Sequence, residues 1–241
     1  FDTAVGAMAG MLRMDVSTKI EGKNVIAMTM YGNTTPAAEL AKRLFEERGY
    51  EVVVFHPNGT GGMSMEEMID QGLFNGVFDL TTHEITDWMY NGLHAGGPTR
   101  LDAAARTGVP QVVVPGCVDF ILMGPIDKLE PEFRKRKTYN FNPAVSLVST
   151  TKEEMEHIAS VMAEKLNRSK GPVLVLIPLR GFSMYCHPGE PMFDPERDKA
   201  FVNALKSKLD PRISVLEVDA HINDPLFAEI SVSQLVKLMG N

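Results

Sequence analysis

Asp219-Ala220-His221-Ile222-Asn223-Asp224 brings two carboxylates, an imidazole and a carboxamide close together. Such groups can orient a water, position a divalent cation or accept a proton. His221 and Asp224 are the candidates for acid–base work, and Asn223 for holding a ligand. The spacing is not a metal signature, and Asp224-Pro225 also reads as the start of a helix. Asn58-Gly59-Thr60-Gly61-Gly62 offers different chemistry. Between a strand and a helix, its backbone N–H groups and the positive end of the helix dipole can hold a phosphate or carboxylate, and glycine lets the chain approach closely. The run lacks the lysine of a Walker A loop and the spacing of a dinucleotide fingerprint. A plain turn with positive φ also explains it. Thr34, in Tyr31-Gly32-Asn33-Thr34-Thr35, can donate to the same ligand, while a cap alone explains Thr35. Arg180 can grip an anion bidentately or sit in a buried ion pair.

Three further groups carry weaker signals. His83-Glu84 lies near a helix start, where a histidine is ordinarily a surface or internally bonded residue, and Cys117 reads as a small buried side chain. In Cys186-His187 adjacent side chains of an extended chain point to opposite faces, which separates thiol from imidazole. No residue is assigned to a resident metal by spacing.

These loops need elements to position them, and the chain supplies alternating strands and helices. Apolar runs at 24–30, 51–55, 77–80, 111–114, 144–148, 172–177 and 213–218 predict strands. Between them, residues at helical spacing, such as Ala37, Leu40, Ala41 and Leu44, or Met155, Ile158, Ala159 and Met162, predict helices with one apolar face. Residues 172–177 form the most continuous apolar run, as expected of a strand buried on both faces. The fold class is therefore α/β, an open and mostly parallel sheet with helices on both faces, Rossmann- or flavodoxin-like. Ligands of such sheets settle outside the carboxyl ends of the strands, so the loops are expected to share one rim.

One domain over 1–241 is expected, with a short docking helix at 1–13 whose small and Met residues suit packing on another chain or a second copy. Residues 92–98 read as an exposed loop and about 118–142 as an irregular insertion or lid. A net charge of −7 gives no basic footprint for nucleic acid or anionic lipid. No apolar run approaches membrane-spanning length, and the two cysteines support neither a disulfide framework nor a zinc site. A cytoplasmic protein fits this balance.

Six stretches resemble the C-terminal half of the family that contains the tobamovirus-resistance protein of plants and many bacterial and fungal relatives. They are Ala7-Met-Ala-Gly-Met11, Phe55-His-Pro-Asn-Gly-Thr-Gly-Gly-Met-Ser-Met-Glu-Glu67, Asp79-Leu-Thr-Thr-His-Glu84, Ala95-Gly-Gly-Pro-Thr-Arg100, Pro115-Gly-Cys-Val-Asp119 and Asp219-Ala-His-Ile-Asn-Asp224. The resemblance implies a two-subdomain α/β protein that binds ATP with magnesium, a further nucleotide-binding segment in an N-terminal half absent from this chain, and that half as a partner. Inhibition of virus replication by the plant members depends on a partner surface and is not carried over.

The expectation is thus a domain for ATP or another phosphate or carboxylate ligand. Gly59, Thr60, Gly61, Gly62 and Thr34 would hold the anion, Arg180 would neutralise it, and His221, Asn223 and Asp224 would place a cation or water. Any catalysis would be hydrolysis or transfer at a phosphate or carboxyl group. The alternative is a non-catalytic sensor or oligomerisation scaffold.

Overall fold

The computed structural model describes residues 2–13 and 24–240; Phe1, the first residue of the expected docking helix, lies outside them. Helix α1 (Asp2–Arg13) exposes Val5 and Met8. The main body then runs β1 (Asn24–Thr29), α2 (Thr35–Glu46), β2 (Tyr50–Phe55), α3 (Thr60–Asp70), β3 (Gly76–Asp79), α4 (His83–Met89), α5 (Asp102–Thr107) and β4 (Gln111–Val113). It continues with β5 (Phe120–Met123), α6 (Pro131–Arg134), β6 (Thr138–Asn142) and β7 (Val145–Ser149). The chain closes with α7 (Lys152–Leu166), β8 (Val173–Pro178), α8 (Pro195–Lys208), β9 (Ser214–Val218) and α9 (Pro225–Leu238).

Six strands form one parallel sheet in the order β2-β1-β3-β4-β8-β9. Alternation along β1 shows why helices cover both faces. Ile26 and Met28 pack with Ala38, Ala41 and Phe45 of α2 and Phe227 and Val232 of α9, while Val25 and Ala27 pack with Met65 and Ile69 of α3 and Ala103 of α5. Helices α7 and α8 cover the second face farther along, over Val113, Val175 and Ile177. Phe45 is fully buried, a burial that contributes about 1.5–3 kcal/mol. All six residues of β8 are buried, as the apolar run predicts. Helix α7 starts at a capping box, with Glu154 N–H donating to Thr151 Oγ1 and Thr151 N–H to Glu154 Oε2.

The stretch expected to be irregular is regular. Strands β5 and β6 lie on either side of β7 in a separate three-stranded antiparallel sheet, and residues 144–148, read from sequence alongside the other strands, belong to this flap. Phe120, Leu122 and Leu147 bury its inner face against Tyr31, Cys117 and Cys186, so the flap roofs part of the carboxyl rim of the main sheet.

Strand order decides where a crevice opens. The chain moves from β1 outward to β2 on one side and then returns to β3 on the other side of β1. The connections after β1 and β3 therefore diverge to opposite faces and leave a cleft at their carboxyl ends. No helix among the described residues is long and apolar enough to cross a membrane.

Candidate functional site

The cleft holds a cluster of aromatic and imidazole rings. Tyr31, just past β1, stacks on His56 from the end of β2 at 5.4 Å between centroids and on His83 at the start of α4 at 4.9 Å. Its hydroxyl hydrogen-bonds His94 Nδ1 at 3.2 Å. His83 and Asp87 are one helical turn apart on α4, fully buried, with His83 Nε2 3.6 Å from Asp87 Oδ2. Asp87 Oδ1 accepts from Leu122 N–H of the flap and Oδ2 from His94 N–H. Above lies a cavity of about 320 Å³ whose walls include Tyr31, Gly32, Asn33, His56 and His94 from the main sheet, Leu122, Phe141, Asn142, Val145 and Leu147 from the flap, and Met184 and Tyr185.

Burial sets the protonation of this cluster. It pushes His83 down to about 3, with His56 adding repulsion, and His94 down to about 4 against the pull of Asp87. The same loss of water raises the Asp87 carboxyl to about 7 despite two backbone donors. It also pushes the Tyr31 phenol well above its ordinary range. At neutral pH both imidazoles are uncharged donors, the state in which imidazole ligates or hydrogen-bonds.

The glycine turn holds an anion, and the anion is the protein's own. Gly59 N–H and Gly62 N–H donate to Glu84 Oε1 at 2.6 and 3.1 Å, and Gly61 N–H donates to Asn58 Oδ1. A Cβ on Gly62 would stand 1.9 Å from Glu84 Oε2, so this glycine admits Glu84 and not an external phosphate. Thr60 is exposed and bonds Asn58 Oδ1. Glu84 in turn accepts from Nε of Arg100, a fully buried guanidinium that also forks onto Asp79 at 2.6 and 2.7 Å and reaches Glu66 at 3.2 Å. Glu66 caps α5 by accepting from Leu101 and Ala103 N–H. Burial raises Glu66 and Glu84 above the usual carboxylate range against the pull of Arg100. Burial alone would lower Arg100, but Asp79 and Glu84 outweigh it and raise it.

The remaining sequence candidates are engaged within the fold. Thr34 Oγ1 pairs with Thr81 Oγ1 at 2.8 Å and with the Tyr31 backbone, so it neither caps α2 nor is free for a ligand. Arg180 is exposed and forks onto Asp219, far from neutralising the glycine turn. His221 has both ring nitrogens occupied, Nε2 by the Ser183 carbonyl and Nδ1 by Asn223 N–H, and Asp224 accepts from His221 N–H at the head of α9. Asn223 bridges to the β1–α2 turn through the Asn33 carbonyl and Ala37 N–H. The loops share the carboxyl edge as expected, and although β2 and β9 are opposite edge strands, Asn223 carries the β9 loop across to the β1–α2 turn. Among the described residues, no hydrogen bond joins the glycine turn to His221, Asn223, Asp224 or Arg180. The convergent site is instead Tyr31, His56, His83, Asp87 and His94. Residues 92–98, expected to be exposed, fold partly inward: Gly92 N–H bonds the Asp87 carbonyl and Gly96 N–H the Glu84 carbonyl. Of the five convergent residues, His83 stands out in the sequence as part of Thr-Thr-His-Glu84, Tyr31 within the loop after β1 and His56 within the family stretch, whereas Asp87 and His94 carry no signal there.

A second buried cluster ties the flap down. Arg197 donates to the Asp119 carbonyl, Ser149 Oγ and the Met192 carbonyl and pairs with Asp198. The Asp119 carboxyl accepts from Ser183 Oγ at 2.6 Å. Burial pushes Asp119 up to about 6, with Arg197 opposing. A carboxyl raised in the folded state contributes stability that is full below its unfolded value near 4 and is lost as pH rises through about 6. Asp119→Asn is therefore expected to gain stability relative to the parent between pH 4.5 and 7, read from urea midpoints. A constant difference across that range would contradict this.

Parallel sheet, switch-point cleft and flap define an α/β domain of flavodoxin-like strand order with a roofed pocket. The chain belongs to the UPF0261 family: residues 23–239 match the family described as "Uncharacterised protein family (UPF0261) C-terminal domain". It is 40% identical over 237 residues to the UPF0261 protein of Clostridium tetani, covering 98% of this chain and 59% of that protein. It is 35% identical over 242 residues to the ToMV resistance protein Tm-1(GCR237) of Solanum lycopersicum, covering 98% of this chain and 32% of that one. The chain thus spans little more than half of the first relative and about a third of the second. Among solved structures, an alcohol dehydrogenase from Thermococcus sibiricus aligns with a TM-score of 0.35 at 14% identity, over 81% of this chain and 96% of that one, too distant for any argument. The resemblance seen in the loops holds at the level of the family.

Proposed function

We propose that this domain binds a small organic anion of the nucleotide class in the switch-point pocket, with ATP and magnesium, the ligand implied by the family resemblance, as the first candidate. The observation that carries the reading is the pocket itself: about 320 Å³ at the divergence of β1 and β3, with Gly32 and Asn33 at the head of α2 in its wall. The positive end of that helix favours a phosphate or carboxylate. Phe141 and Tyr185 offer flat apolar faces for a planar ring. No Asp, Glu, Lys or Arg is among the lining residues, so backbone dipole and neutral polar groups would provide the recognition. An anion placed here replaces the expected one on Gly59–Gly62, whose amides serve Glu84.

Titration calorimetry of the whole chain with ATP, ADP and AMP, each with and without magnesium, tests the proposal. Phe141 is 56% exposed in the flap wall, so Phe141→Ala leaves the core intact. Stacking lost on one face is worth about 1–3 kcal/mol, and nucleotide binding is expected to weaken about tenfold. Absence of binding by every nucleotide, or equal binding by parent and variant, would overturn the reading.

A further inference from the structure

Beneath the pocket, His83, Asp87 and His94 each present one donor atom, all within 4.8 Å of one another. Three coordinating side chains close together are not enough, because buried groups often bond each other. Here one does not. His83 is completely buried, and neither Nδ1 nor Nε2 has a hydrogen-bond partner. An imidazole shut away from water with both nitrogens unpaired forfeits hydrogen bonds that folding normally restores. Its Nε2 stands 3.6 Å from Asp87 Oδ2, longer than a hydrogen bond. That is close to the separation of two ligands on one small cation: bonds of about 2.1 Å in a tetrahedron place donors about 3.4 Å apart.

The surroundings hold the other two donors in place, as outer partners do at metal centres. Asp87 is oriented by Leu122 N–H and His94 N–H, and the second of these fixes the backbone of His94 against the carboxylate. Tyr31 hydroxyl holds His94 Nδ1. Gly92 lets the 92–94 turn close over Asp87, since a Cβ there would stand 2.2 Å from the Asp87 carboxyl carbon. His94 also lines the pocket, so the cluster opens to it on one side.

We propose that His83, Asp87 and His94 form a site for one divalent transition-metal ion, of the zinc, cobalt or manganese kind, with an open coordination position facing the pocket. Two neutral imidazoles and one carboxylate suit such ions, whereas magnesium prefers an all-oxygen shell. The site is thus distinct from the magnesium that would accompany ATP. With one carboxylate against two positive charges, a bound ion supplies the pocket with the net positive charge its lining side chains lack. The role of that charge toward an organic anion rests on the reading above; occupancy by the metal does not.

The probe is therefore the metal alone. The whole chain, stripped with a chelator, is titrated with zinc by calorimetry and with cobalt by its visible spectrum, and retained metal is counted after dialysis. One equivalent is expected, with a rise in melting temperature. His94→Ala, altered at a half-buried position, is expected to weaken binding about 10- to 100-fold, and His83→Gln to do the same. His187 and His221 form a separate ring pair at 5.7 Å, so His187→Ala is expected to bind as the parent does. Circular dichroism checks that each variant is folded, and should His83→Gln fail to fold, His94→Ala decides alone. No stoichiometric binding by the parent, unchanged binding by His94→Ala, or loss in His187→Ala alone would overturn the proposal. Metal bound without nucleotide retains this site and removes the nucleotide reading; nucleotide bound without metal does the reverse.

Discussion

Arg100→Leu is expected to lose about 3–5 kcal/mol of folding stability, the range for removing one partner of a buried ion cluster. The parent guanidinium is fully buried and serves Asp79, Glu84 and Glu66 together. Without it three carboxyls face one another, two of them wholly shut from water. The loss reaches beyond the charges, because Glu84 holds the Gly59 and Gly62 amides at the head of α3 and Glu66 caps α5. Asp79 also accepts from Thr29 Oγ1, which links the ends of β1 and β3. The sign of the pH effect follows. Burial already raises Glu66 and Glu84, and removing the cation raises them further. Stability carried by their protonated forms is lost as pH rises, so the deficit should be larger at pH 8 than at pH 5. Urea unfolding at both values checks this; an equal deficit, or one under about 1 kcal/mol, would show that the cluster does not hold these elements together.

The second large effect separates two meanings of the glycine run. If its glycines served an external phosphate, Gly61→Ala would weaken ligand binding and leave stability nearly untouched. The geometry expects the opposite. A Cβ on Gly61 would stand 1.8 Å from the His56 carbonyl oxygen and 2.7 Å from its carbon, backbone atoms that cannot swing aside. Forced overpacking costs about 1–3 kcal/mol, and the upper end applies where main chain meets main chain. His56 would be pushed off Tyr31, so the pocket wall moves too. Gly124→Ala is the control: its Cβ meets nothing within 4 Å and its φ is ordinary, so it should stay within about 0.5 kcal/mol of the parent. Equal melting temperatures for the two variants would refute the steric argument.

The glycine run also shows how far local sequence reaches. Asn58-Gly-Thr-Gly-Gly was read as an anion cradle, and chemically it is one. A carboxylate 22 to 25 residues away fills it, and only the tertiary fold could disclose that. The strands were legible for a local reason: runs such as 173–177 are buried on both faces and carry their signal in consecutive residues. In the flap β7 was legible as a strand but β6 was not, because it is mostly exposed, bulged near Asn140–Asn142 and polar, which erases period-two alternation. The ring cluster in the cleft was hidden for a different reason. Tyr31, His56 and the pair His83 and His94 come from three separate strand-to-strand connections, and what unites them is the place of β1 between β2 and β3, a fact of strand order that no single segment encodes. His221 and Asp224 drew attention through their density of polar groups, and that density knits the head of α9 to its neighbours.

The flap is a single continuous stretch, whereas the opposite side of the cavity is assembled from connections distributed along the chain. Most of the roof can therefore be exchanged as one segment, while Leu122, whose N–H orients Asp87, stays with the floor. Exchanging residues 138–147 is expected to reshape the cavity and to leave the His83–Asp87–His94 cluster and the Arg100 hub standing. The domain is in that sense a fixed socket with a replaceable cover, and libraries confined to the cover would test the proposed pocket without touching its floor.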